Sequence, residues 1–168
     1  MTLNNRTVKV ETVVKAMTYA IGLIGFLSVV RHIGILYALA FVLLALLSVY
    51  LEYKKRFLMP RWFLNVLALA MVILTVFRAD PDDPVLAIVE ALLILVAIKL
   101  LEEKRFRDHM QIYLLTMLLL TGSALLSIDI IFLLYFISLA FLLAPAIVML
   151  TYYSQDKSLE LRTDTLLR

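Results

Sequence analysis

The sequence contains no cysteine, which excludes disulfides, thiolate metal sites and cysteine nucleophiles. It has two histidines, His32 and His109, too few for a histidine-rich metal centre and with no partners at metal-ligand spacing. Charge is scarce as well. Asp, Glu, Lys and Arg make up 17% of the 168 residues, against about 25% in an ordinary soluble domain. There is no glycine-rich phosphate loop, no Ser-His-Asp set with its members on one side, and no pair of carboxylates in an apolar pocket. The basic stretches are too few and too short to indicate nucleic acid. No cofactor or metal is expected.

What is present is apolar sequence, 64% of the chain, with a mean hydropathy of +0.99. The excess repeats along the whole length, which is the pattern of a polytopic membrane protein. A helix needs roughly 20 mostly apolar residues to cross the hydrocarbon core. Residues 33–51 and 130–150 meet this cleanly, and 110–128 is broken only by Gln111 and small hydroxyl residues. Residues 12–30 qualify if the Lys15 ammonium reaches the interface on its long stem. They lack the small-residue cleavage site of a signal peptide. Residues 62–77 are shorter but begin with Trp62, an interfacial residue type.

Residues 84–101 contain two charges, Glu90 and Lys99, beside many Val, Ile and Leu residues. Those branched residues contribute roughly −4 to −7 kcal/mol on the insertion scale, and each off-centre charge costs less than about 3. Insertion wins. The expectation is an all-α bundle of six transmembrane helices over residues 1–150, followed by a polar tail from 151 to 168. Asp83 is placed to cap the fourth helix, with Pro84 in its first position.

Fourteen of the sixteen basic residues fall on one side of such a bundle; the other side holds only Arg31 and Arg78. The positive-inside rule then puts both termini in the cytoplasm. The basic loops would attract anionic lipid headgroups at about 1 kcal/mol per residue.

Among candidate site residues, Glu90 comes first, because an acid within a span is a functional hypothesis by default. It shares a helix face with Ala87 and Ala97, and Ala91 lies at the edge, so it is expected to point into the bundle. It reads either as an ion or proton relay or as a locally paired carboxylate near the outer interface. His109 reads as a surface histidine beside a basic loop. Thr121, Gly122, Ser123, Ala140 and Ala144 read as close-packing residues, and Pro145 as a kink in the last span. The loops "LEYKKRF" and "LEEKRF" look alike, which the positive-inside rule explains without duplication.

The stretch Lys99–Asp108, "KLLEEKRFRD", followed by two long apolar helices, resembles the membrane domain that precedes the transglutaminase-like domain in bacterial TgpA-type proteins. Lys99, Leu100, Leu101, Glu102, Arg107 and Asp108 carry the resemblance; Glu103 and Phe106 depart from it. The resemblance implies the bacterial cytoplasmic membrane as location and a transglutaminase-like domain or protein as partner, with a Cys-His-Asp triad for which residues 1–168 offer no cysteine. A non-catalytic anchor is therefore expected, with a small transporter or channel subunit using Glu90 as the alternative. By its own chemistry, Asp108 with Gln111 suggests a capping box at the start of the fifth helix. Glu102 would then form an ion pair with a neighbouring basic residue at a wet surface, worth no more than about 1 kcal/mol.

Overall fold

The computed structural model describes residues 8–54, 61–77, 83–102, 106–155 and 160–161. Within them lie six helices: α1 (Val10–Val29), α2 (Ile35–Tyr53), α3 (Arg61–Phe77), α4 (Pro84–Leu101), α5 (Phe106–Leu126) and α6 (Ile130–Gln155). Two short strands, β1 (Val8–Lys9) and β2 (Glu160–Leu161), pair antiparallel through Val8 with Leu161 and Lys9 with Glu160. Five of the helices are long and apolar enough to cross a membrane. α3 has 17 residues, about 25 Å of helix, and its apolar part runs Trp62–Thr75.

The relative directions of the helices follow from side-chain partners. α1 and α2 are antiparallel: the Phe26 and Phe41 rings stack at 4.6 Å with 4° between planes, and Tyr19 meets Ser48 nearer the other end. α2 and α4 are parallel, joined by Gly34 with Glu90 at one end and Ser48 with Leu100 at the other. α1 and α5 are parallel, with Thr18 on His109 and Ser28 on Ser123. The N-terminal part of α3, Leu64 and Ala68, clusters with Ile94, Ile98 and Leu101 from the C-terminal part of α4. α3 therefore runs antiparallel to α4, from the end where α2 stops to the end where α4 starts. The strand pair brings the two terminal segments to one end.

α4 is the hub. It packs on α2, α3 and α5, while α1 packs on α5 and α6. Buried residues make up 56% of α4 but 11% of the apolar windows in α2 and α6. This inverts the soluble pattern. The two flanking helices present Leu36, Leu43, Leu134, Ile137 and Phe141 outward, as a bilayer requires where lipid is as apolar as leucine. α4, which carries Glu90 and Lys99, is instead enclosed by protein, where polar side chains can find partners.

Several expectations are corrected at the helix ends. α5 begins at Phe106, four residues before the expected Met110, because the exposed Phe106 and Arg107 continue the helix beyond the apolar stretch. Asp108 consequently lies inside the first turn rather than at the cap. Asp83 does occupy the cap position of α4 and Pro84 its first turn, but the Asp83 carboxylate makes no capping bond. Ala140 and Ala144 are exposed rather than packed, as is Thr121. Pro145 sits on the exposed face of α6, and the helix runs through it. Most of the basic turns expected at residues 55–60 and 103–105, and the "RADPDDP" turn before Asp83, lie outside the described residues, as does most of the tail.

Gly122 and Ser123 do pack closely. A Cβ on Gly122 would lie 2.6 Å from Val89 Cγ2, and one on Gly25 would lie 2.6 Å from Thr116 Cγ2. These two glycines set the α4–α5 and α1–α5 spacings. Gly122→Ala should therefore destabilise the protein by about 1–3 kcal/mol. Val89→Ala in the same chain should recover part of that loss, because the two positions share one contact. Thermal unfolding in detergent, run as a double-mutant cycle, measures both. Additive losses would contradict the shared contact.

Candidate functional site

Polar side chains gather at one end of the bundle, where α1 and α5 begin and α2 and α4 finish. Tyr19 on α1 donates its hydroxyl proton to Glu52 Oε2 at 2.7 Å and lies 2.7 Å from Ser48 Oγ. Ser48 in turn donates to the Leu100 carbonyl of α4. That carbonyl belongs to the last turn of a helix, whose final carbonyls have no intrahelical donor. Lys15, one turn before Tyr19, pairs with Glu52 Oε1 at 3.0 Å. Three helices are thus joined through one glutamate, one tyrosine and one serine.

Beside them, Lys99 pairs with Glu102 Oε2 at 2.6 Å, three residues on. Glu102 is 4% exposed, so the expected wet-surface pair is corrected to a largely buried one. The end of α4 packs against protein and leaves Glu102 little contact with water. Lys99 answers it on the partly exposed side, where its long stem reaches outward.

His109 is likewise corrected. It is 1% exposed, because the early start of α5 puts it on the same face as Ile112, Tyr113 and Thr116, turned toward α1. Thr18 Oγ1 directs its single proton to the Val14 carbonyl at 2.8 Å. It also lies 3.1 Å from the Tyr113 hydroxyl and 2.8 Å from His109 Nδ1. Asp108 is also buried, at 3%, and Arg107 is exposed. Gln111 Oε1, one of the expected capping pair, is buried with no hydrogen-bond partner among the described residues.

Glu90 lies at the opposite end. Its Oε1 accepts the Gly34 backbone N–H at 3.1 Å, at the cap position of α2. A carboxylate there satisfies an orphan amide and faces the positive end of the helix dipole. Between Glu90 and the Lys99–Glu102 pair, the core face of α4 is apolar: Leu93, Ile94, Val96 and Ala97 are all completely buried. Of the expected residues, Lys99, Glu102 and Asp108 come together at one end, with Arg107 at its margin. Glu90 does not join them.

Sequence reading missed Tyr19, Ser48, Glu52, Thr18 and Tyr113. One signal was available: Glu52 and Glu102 each follow a leucine at the foot of a helix and precede basic residues. Both glutamates accept a lysine, Glu52 from another helix and Glu102 from its own. No three-residue cluster able to hold a metal occurs among the described residues.

A helical bundle with lipid-compatible outer faces and a polar layer at one end defines a helical membrane domain. Residues 17–167 match the TgpA N-terminal domain, so the chain belongs to that family. Comparison with curated proteins and with solved structures returned no match.

Burial decides the energetic expectation. Glu102→Ala should cost about 1–3 kcal/mol, more than an exposed pair would, because it removes the partner of a half-buried ammonium. Glu52→Gln should cost a similar amount by weakening contacts to both Lys15 and Tyr19. Thermal unfolding of each variant in detergent is the check, and losses below about 0.5 kcal/mol would mean that neither pair holds the helix ends.

Proposed function

We propose that this chain is a non-catalytic, six-span membrane domain of the bacterial cytoplasmic membrane that anchors a transglutaminase-like domain or protein. The observation that carries the reading is the distribution of polarity. The charged span is enclosed, the most apolar helices face outward, and the polar groups at one end are spent on partners from neighbouring helices. Such a site holds helices together, with its hydroxyls, acids and bases engaging one another. Membership in a family defined by an N-terminal domain supports the same role.

α3 completes a sixth pass, and its modest length is met by local thinning of the bilayer or by interfacial anchoring at Trp62. Both termini lie in the cytoplasm, on the strength of the basic residues. Residues 1–150 form the membrane domain and the remainder a cytoplasmic tail, with anionic headgroups gathered at the basic loops. An extracytoplasmic domain joined to this end would need one further crossing. The reading as a transporter finds less support, because Glu90 is engaged at the α2 cap and apolar layers separate it from the other polar cluster.

The cysteine-free chain makes the topology directly measurable. A membrane-impermeant thiol probe should label Asp82→Cys in intact cells and Ser158→Cys only after permeabilisation. Labelling of Ser158→Cys from outside would require an odd number of spans and remove the sixth pass. The purified chain should neither crosslink glutamine to lysine nor hydrolyse peptide amides. In liposomes, a proton- or cation-coupled flux abolished by Glu90→Gln would replace the anchor reading with the transporter.

A further inference from the structure

Two apolar grooves open on the lateral surface. One, about 260 Å³, lies between α5 and α6 against Leu120, Ala124, Phe132, Phe136 and Ala140, with no charged residue in its lining. The other, about 300 Å³, lies between α1 and α2 and is walled by Tyr19, Leu23, Phe41, Ala45, Leu46 and Val49. From Phe41 to Val49 this second groove extends about 12 Å along α2, most of the roughly 15 Å depth of one leaflet's hydrocarbon.

The grooves differ in how they end. Lys15 stands one turn below Tyr19, and Glu52 stands one turn below Val49. Their pair at 3.0 Å, together with the Tyr19 hydroxyl on Glu52, closes the foot of the α1–α2 groove. Just beyond, the exposed Lys54 holds its ammonium 4.6 Å from the centroid of the Tyr50 ring. Two ammonium groups and one carboxylate therefore stand where a chain leaving the groove would reach the headgroup level. Glu52 faces Lys15 and Tyr19, and Lys54 adds a second, exposed ammonium beside them.

We propose that the α1–α2 groove binds one anionic glycerophospholipid, with an acyl chain along Leu23, Ala45 and Leu46 and its phosphate at Lys15 and Lys54. The inference rests on the membrane-spanning reading. Hydrocarbon fills such a cleft in any bilayer; the charged foot is what adds selection. Tyr19 marks the boundary, presenting its ring to the chain and its hydroxyl to Glu52. Among the described residues no charged side chain lines the α5–α6 groove, which should take chains without regard to headgroup.

Tryptophan quenching by brominated lipid tests this in the full chain. Trp62→Phe removes the native tryptophan, after which Leu46→Trp reports on the α1–α2 groove and Ala140→Trp on the other. In nanodiscs, dibrominated phosphatidylglycerol should quench at position 46 with a relative binding constant roughly two- to fivefold above dibrominated phosphatidylethanolamine. At position 140 the ratio should be near one. Lys54→Gln, at an exposed residue, should lower the preference at 46, and Lys15→Gln with it should abolish the preference. A ratio near one at position 46, or a preference that survives both substitutions, would overturn the site. Should the tryptophan variants fold poorly, native mass spectrometry of the unaltered chain must show phosphatidylglycerol retained over phosphatidylethanolamine, and equal retention would overturn the site as well. Absence of quenching by either lipid at both positions is a different failure: it would remove the membrane reading and the site with it.

Discussion

A bilayer core offers no hydrogen-bond partner, so any polar group carried into it must be met from within the protein. This constraint organises the molecule. The helix with a charge near each end, α4, is the one enclosed by others, and the helices with almost no polar residues form the rim. Where α4 ends, its Leu100 carbonyl is reached by Ser48 of α2, and Tyr19 of α1 reaches Glu52 of that same helix. Where α4 has barely begun, its Glu90 reaches across to open α2. The two ends of the parallel α2–α4 pair are thereby tied by different chemistry, and the apolar layers between them carry the packing.

The close approaches belong to the same arrangement. Lipid provides no hydrophobic drive between helices, so association depends on fit and on interhelical hydrogen bonds. Gly25 and Gly122 admit Thr116 and Val89 at distances no side chain would allow. Ser123 then reaches the Ser28 carbonyl at 2.7 Å, while Ser28 bonds within its own helix to Gly25. Small residues here bring backbones near enough for hydroxyls to cross. The outward-facing Ala140 and Ala144 show that small size alone does not mark a contact face.

Helix number, order and approximate bounds were readable in the sequence because each depends on a run of local hydropathy. Glu90, expected to point into the bundle, is half-buried and meets the Gly34 amide of α2 in an exposed contact. Partners were not readable. His109 looked like a surface residue because its neighbours in sequence are charged, whereas its burial comes from Thr18, 91 positions away on another helix. Glu102 looked wet because it opens a basic loop, and only the packing around α4 dries it. Asp108 looked like a cap because the apolar run begins two residues later; α5 starts sooner, since exposed residues can be helical without being apolar. Membership in the TgpA N-terminal family was legible from ten residues around that loop, although their positions say nothing of how they are paired.

The account depends most on α3, the shortest helix, running the full depth of the bundle against α4. Paired cysteines in the otherwise cysteine-free chain measure this in native membranes with a short bifunctional thiol reagent. Leu64→Cys with Leu101→Cys should crosslink efficiently, because the start of α3 lies against the end of α4. Leu64→Cys with Ala87→Cys should not. Crosslinking of the second pair in preference to the first would reverse α3 against α4 and contradict the account.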